Sequence, residues 1–418
     1  MKPSKPGFLS PKFPYFALTA INQVAASYYF NYLFFLLRDR FGFGDRQNLA
    51  VAALHGGLYT IAAWQCGRFA ERRGFHTSLK VGFGGLTIVM IAGAFVTSWP
   101  LELLVLACYT GTLLFTWPAL EALAIQHEPP SRVPHLVGVY NCTWSAAAAF
   151  SYFTGGALYD RLGKGAVFWI PAVIFASEFV FMMALAKRGE HRSPDHQIAR
   201  SPDRRSPNHQ ISRSPDASIT SSPQTFLRLA WLANPLSYVA VNTLLAVMPG
   251  LGQRLGLSAA AVGLLCSIWF FARLTAFAVL WQWTAWHYRF RWLVGGYVAL
   301  AGSFLLMLIV PSLAVLAMAQ VPFGLACGLM YNSSLFYAMD VGEAKAEHGG
   351  LHEAAIGAGV FAGPAVGALS LQLFPAHPDA GPIAVTGLLG LGLAGLLAIW
   401  RGGRRRERAE SPLTRSVR

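Results

Sequence analysis

Charge is what this sequence has least of. Asp, Glu, Lys and Arg together make up 12% of its 418 residues, about half of the roughly 25% carried by a typical soluble chain. So thin a supply cannot clothe a water-soluble surface of this length. Cysteine is scarce too. Cys66, Cys108, Cys142, Cys266 and Cys327 stand singly within apolar stretches, with neither a disulfide-framework pattern nor metal-ligand spacing. They read as core thiols, and no metal site or cofactor is expected. The glycine-rich segments 82–85 and 355–367 also lie in apolar runs, where close helix packing explains them and a phosphate loop does not. No ATP-binding or other soluble catalytic module is visible. A membrane enzyme would need clustered nucleophiles, acids or metal ligands, and none has that spacing.

Apolar residues, by contrast, make up 54% of the chain, with a mean hydropathy of +0.44. A bilayer core of about 30 Å takes roughly 20 helical residues to cross. Twelve blocks of about that length occur, at 15–37, 48–67, 79–97, 101–125, 137–159, 165–186, 226–249, 258–284, 292–310, 313–339, 353–374 and 382–400. Runs such as Leu388–Leu397 show none of the alternation of a barrel strand. The expected fold is an all-α polytopic membrane protein of twelve transmembrane helices in two six-helix halves, 1–186 and 224–400. Between them, 187–223 holds an imperfect repeat of Arg-Ser-Pro-Asp type, at Arg192, Arg200, Arg205 and Arg213. Such a stretch has too little apolar surface to fold and reads as a cytoplasmic linker.

The formal net charge of +14 has a distribution. With both termini on one side, the opposite side holds only Arg38, Arg40, Arg46, Arg161, Lys164 and Arg254, and Arg273 lies inside a span. The remaining lysines and arginines fall on the side of the termini, including the basic tail 401–418. The positive-inside rule then puts both termini in the cytoplasm, with membrane lipids rather than nucleic acid as the partner of the basic segments. Met1–Pro14 is basic and proline-rich, but the apolar block after it is too long for a signal peptide and lacks a cleavage site.

The turn after the second block reads Gly67-Arg68-Phe69-Ala70-Glu71-Arg72-Arg73-Gly74. It resembles the cytoplasmic 2–3 loop signature of the major facilitator superfamily, with Glu71 where aspartate is usual. The end of the fifth block, Gly155-Gly156-Ala157-Leu158-Tyr159-Asp160-Arg161-Leu162-Gly163, is similar to the close of a motif found in antiporters and exporters of that superfamily. The upstream Ala146–Ala149 departs from its glycine and proline pattern. In the second half, Trp286–Trp292 keeps basic residues without the glycines or the acid, and 357–367 is glycine-rich like the fifth block.

The resemblance implies a monomeric secondary transporter in a bacterial cytoplasmic (inner) membrane. It would carry a small-molecule substrate by alternating access, with a proton as co-substrate and export slightly favoured over uptake. Gly67, Arg68, Glu71, Arg72, Arg73, Gly74, Asp160 and Arg161 would then serve gating. Uptake or facilitated diffusion of a sugar, nucleoside or organic anion is the alternative, and a non-transporting sensor or scaffold the third reading.

Charged residues in hydrocarbon are costly and usually face a cavity or a partner. Arg273, well inside the eighth block, offers five donors in a rigid fork to an anionic or hydroxyl-rich substrate; an internal ion pair is the alternative. Glu178, near the middle of the sixth block, is a candidate proton carrier, with Glu353 beside His352 in reserve. Glu121 reads as a gating or packing residue near a helix end. The superfamily architecture places spans one, four, seven and ten around the cavity. Their polar content nominates Asn22, Tyr28, Asn31, Trp117, Asn234, Tyr238, Asn242, Tyr331 and Asn332 for substrate binding. Asn234, Tyr238 and Asn242 recur every four residues as one stripe. His55, Tyr59 and Gln65 add further polar groups in span two.

Overall fold

The computed structural model describes residues 12–126, 128–129, 132–190, 222–310, 312–341 and 346–410, with side chains placed for all of these except 186–190, 346–351 and 407–410. The described residues form thirteen helices and no strand: α1 (Phe13–Phe41), α2 (Asp45–Arg73), α3 (Phe75–Ala94), α4 (Trp99–Leu113), α5 (Trp117–Ile125), α6 (Val133–Leu162), α7 (Ala166–Glu190), α8 (Pro223–Arg254), α9 (Ala259–Gln282), α10 (Phe290–Ile309), α11 (Leu313–Asp340), α12 (Ala346–Leu373) and α13 (Ala380–Glu410). Local chemistry sets many of the ends. Ser222, Ser258 and Ser312 cap α8, α9 and α11 by accepting from the backbone N–H three residues on. Gly42, at φ +69°, closes α1 in the left-handed conformation that glycine adopts at no steric cost.

Helices α4 and α5 are one interrupted rod. Pro118, in the first turn of α5, has no N–H to give, and the chain tightens before it. Phe115 and Thr116 bond three residues back, to Thr112 and Leu113, and the Thr116 hydroxyl donates to the Leu113 carbonyl at 2.7 Å. The block expected as a continuous span at 101–125 is therefore broken at 114–116.

Nine stretches among the described residues are long and apolar enough to cross a membrane. Helices α1, α2 and α6 match them in length, at 29, 29 and 30 residues, and fall below them in apolar character. The polar residues that lower it point inward: Asn22, Asn31, Asn48, His55, Asn141 and Ser151 are all buried. At the other extreme, α13 has only 22% of its apolar window buried, against 83% for α8. Helix α8 is a central element, and α13 lies at the periphery.

Helices α1–α7 form one half and α8–α13 the other. Two seams join them, α2 against α12 and α6 against α9. Glycines make both seams close. A methyl group on Gly56 would overlap the backbone of Val360 and Phe361, and one on Gly156 would overlap the Ala259 carbonyl. The face holding the α1–α2, α6–α7, α8–α9 and α12–α13 turns is called distal below, and the opposite one terminal.

Several boundaries differ from the sequence reading. Helix α7 continues through 187–190 and α8 starts at Pro223, so of the expected linker only 191–221 lies outside the described residues. The basic segment 401–410 continues α13 as helix, because arginine and glutamate are good helix formers. Helix α12 starts at Ala346, ahead of the expected span 353–374. Cys108 faces outward and is exposed, and Cys142 is only half-buried, so these two are not core thiols.

Candidate functional site

A cavity of about 180 Å³ lies between the halves, walled by α1, α2, α4, α5 and α6 on one side and by α8, α9, α11 and α12 on the other. Of the residues nominated from the sequence, Asn31, Trp117, Tyr238, Asn242, Arg273, Tyr331 and Glu353 line it.

Arg273 is 7% exposed. Its guanidinium carbon lies 4.6 Å from the ring centre of Trp144 and 5.0 Å from those of Trp269 and Phe270. Three aromatic rings thus cover the cation. Its Nε has no hydrogen-bond partner, and among the described residues it forms no ion pair. The alternative of an internal ion pair is not what the side chain adopts.

Glu353 faces the cavity from α12 and accepts a hydrogen bond from the Tyr59 hydroxyl of α2, across the two halves. His352 Nδ1 stands 3.9 Å from the Glu353 carboxylate, while its Nε2 meets Ser334 Oγ at 2.9 Å and Asn234 Nδ2 at 3.2 Å. Glu121, read from the sequence as a gating or packing residue, also lines the cavity, from α5. Tyr59, His55, Tyr140, Trp144, Trp269 and Phe270 complete the aromatic and polar wall. Trp144 and Trp269 were missed from sequence; their places inside spans five and eight set them apart from tryptophans near span ends, but only packing shows that they face the cavity.

The other nominated residues do not line this cavity. Asn22 is fully buried against the α4–α5 break, its Nδ2 3.2 Å from Thr116 Oγ1. Tyr28 turns toward α6, its ring tilted against Tyr32 at 5.3 Å and filling the space left by Gly155. Asn332 follows Tyr331 by one residue, about 100° around the helix, and does not line the cavity. Asn234 is engaged by His352. The stripe 234–238–242 splits because a four-residue step turns the helix by about 400°, so the stripe drifts roughly 40° per step. Glu178 is 2% exposed in α7, which packs against α1 and α3 and away from the cavity. Neither of its carboxylate oxygens has a hydrogen-bond partner.

The gating candidates behave differently on the two faces. On the terminal face, Gly67 and Gly74 have open space around them, Arg68 lies over the Trp64 ring at 4.4 Å, and Glu71, Arg72 and Arg73 are exposed. Among the described residues Glu71 makes no ion pair. On the distal face, Asp160 accepts from the Ala260 N–H at 2.8 Å, capping the first turn of α9 from the other half. Arg161, beside it, is exposed.

A second tie was missed from sequence. Asp45 accepts from Arg38 Nη1 at 3.1 Å and from Arg254 Nη1, in the other half, at 2.8 Å. Gly250 is bare where a side chain would strike the Asp45 carboxylate. Arg46 bonds Gln372, and Arg38 Nε donates to Gln253 at 2.8 Å, both also across the halves. No local signal marks Asp45, whose partner is 209 residues away.

Two helical halves around a central cavity that holds one cation and two carboxylates, closed at one face by ties between them, define an integral membrane protein built as a transporter. Residues 13–234, more than half of the chain, match the family model of the Major Facilitator Superfamily, and the chain belongs to that superfamily. Solved structures agree on the fold. A bacterial homologue of the human lysosomal transporter Spinster, inward-facing and unoccupied, aligns with a TM-score of 0.67 at 11% identity, covering 95% of this chain and 96% of that one. The nucleoside transporter NupG aligns at 0.68 and 12% identity, covering 94% and 99%. An occupied form of the Spinster homologue aligns at 0.60 and 15% identity, covering 95% and 92%. No protein of curated function matches the sequence.

Proposed function

We propose that the protein carries a small solute across a bacterial cytoplasmic membrane by proton-coupled alternating access, with its terminal face in the cytoplasm. The observation that carries this reading is the joint presence of Arg273, Glu121 and Glu353 in one cavity between the halves. Arginine stays charged at any physiological pH, so Arg273 holds the solute. Glu353 is the proton carrier, because its bond to Tyr59 links the two halves and its protonation removes a charge from the cavity. Glu178, remote from that cavity, is a poorer candidate. The basic residues of the terminal face support the orientation. In that orientation the distal ties close the outside, and the exposed loop 67–74 is the unengaged half of an alternating gate.

Direction follows from the coupling. The lean toward export rested on residues 155–163, whose Gly155 and Gly156 serve here as packing surface for Tyr28, Tyr32 and α9. Such packing serves either direction. An electron-rich solute at Arg273 and a proton on a nearby carboxylate favour one another electrostatically, so both travel together, and an inward proton gradient then drives uptake. A sensor or scaffold would have no need of a cation and two carboxylates around one central cavity.

The test is solute-induced proton movement in liposomes holding the purified protein, across sugars, nucleosides, organic anions and hydrophobic cations. A proton signal that needs one solute class and disappears in Glu353→Gln supports the reading. Solute transport by Glu353→Gln with its proton dependence intact would remove Glu353 from the mechanism.

A further inference from the structure

The wall of the cavity specifies more than a solute. Arg273 is buried, forms no ion pair among the described residues and is ringed by Trp144, Trp269 and Phe270. Rings over a guanidinium attract its charge but give its in-plane N–H edges no oxygen acceptor. Those edges match a carboxylate in two-point geometry. Among the described residues no carboxylate stands within ion-pair distance of Arg273, so a neutral solute leaves the guanidinium without a direct partner, which is costly in a low-dielectric setting. A second negative charge on the solute would have no cation to meet, because Arg273 is the one lysine or arginine among the lining residues and Glu121 and Glu353 are the others that ionise as acids.

Size and shape narrow the choice. A cavity of about 180 Å³ is of the order of the roughly 150 Å³ apolar cavity that accepts benzene. Tyr331 and Trp144 stand edge to face at 5.4 Å, and the Phe277 ring lies 5.4 Å from Trp144, so the surface beside the guanidinium is aromatic. Resting on the transport reading above, we propose that the substrate is an aromatic monocarboxylate of a single ring, its carboxylate bidentate on Arg273 and its ring against Trp144 and Trp269.

The probe is benzoate, with benzamide, benzylammonium, phthalate and uridine as comparators, in equilibrium binding to the purified full chain. Benzoate is expected to bind saturably, benzamide at least about tenfold more weakly, and benzylammonium and phthalate not at all. Arg273→Gln should weaken benzoate by roughly 10- to 100-fold, the range of a lost charge-assisted pair. Trp144→Leu should weaken it severalfold, and gives a second handle if the arginine variant does not fold. Benzamide binding as tightly as benzoate, or no benzoate binding by folded protein, overturns the proposal. If uridine or another solute then binds and drives proton movement, the transport reading stands and only the substrate class has failed. If every solute is silent in both assays, the two fail together.

Discussion

At the scale of single residues, this protein spends stability on placing charge where lipid would not tolerate it. Arg273 is held by rings rather than by a carboxylate, so its charge is available to a ligand. The expected consequence is that Arg273→Lys binds substrate more weakly than wild type by about tenfold or more, since an ammonium offers no fork and stacks less well. Titration of solute against the purified variant checks this, and equal affinity would mean that a point charge suffices. Tyr59→Phe should keep the fold and reduce the rate of coupled transport, because the hydroxyl that joins α2 to Glu353 is gone. Measured proton-driven uptake at wild-type speed would show that bond to be incidental.

His287, in the turn between α9 and α10, makes a separate prediction. It stacks flat on Phe336, with ring centres 3.8 Å apart and planes at 17°. Burial pushes its pKa down to about 4, against a smaller upward pull from Asp340. A group depressed in the folded state binds protons more readily when unfolded, near its ordinary value of about 6.5. Its contribution to stability is therefore complete above that value and lost as pH falls from about 6.5 toward about 4. The melting temperature of wild type should drop over this window relative to His287→Phe. Parallel melting curves for the two proteins would show that the imidazole does not titrate there.

At the scale of helices, the seams decide what can move. Gly56 meets the backbone of α12 directly, so Gly56→Val must push α2 and α12 apart. The expected result is a longer distance between spin labels at positions 46 and 372, which lie at the distal end of the same seam, together with loss of transport. An unchanged label distance would mean that α12 adapts without moving. Gly67→Ala is the contrast, because nothing lies within 4 Å of the added methyl. The interruption between α4 and α5 belongs to this scale as well. Pro118 and the Thr116 hydroxyl were readable in the sequence, but an uninterrupted apolar run hid their effect, since composition does not register a missing N–H.

For the molecule as a whole, closure of the distal face rests on small terms. The Asp45–Arg254 pair is partly exposed, at 20% and 52%, and such a pair contributes about 0.2–1 kcal/mol. Asp45→Asn should accordingly raise the population open at the distal face by no more than about fivefold, with the protein otherwise folded. Leu245 lines the cavity, so a cysteine placed there and labelled from the distal side, with and without Asp45→Asn, reports it. Added salt should mimic the change in the protein that keeps Asp45. Identical labelling with and without the substitution would assign closure to the glycine seams instead. Weak ties suit a gate, because a strong one would hold the halves in a single state.

What the sequence determined by itself was everything that follows from composition and periodicity. Too little charge for a soluble surface, blocks of bilayer length, an excess of basic residues beside the chain ends and the 67–74 motif together gave the membrane class and the family. Arg273 was also legible, because a cation in an apolar run is costly wherever it points. What only the tertiary structure decided was facing. A helix turns about 100° per residue, so Tyr331 and Asn332, or Asn234 and Asn242, look alike in sequence and meet different surroundings. Glu121 and Glu178 are both acids in apolar runs, and packing puts one in the cavity and leaves the other against α1 and α3. The ties of Asp45 to Arg254 and of Asp160 to α9 join residues at least 100 positions apart. No local pattern encodes such pairs, because they exist only once the two halves of the chain have packed together.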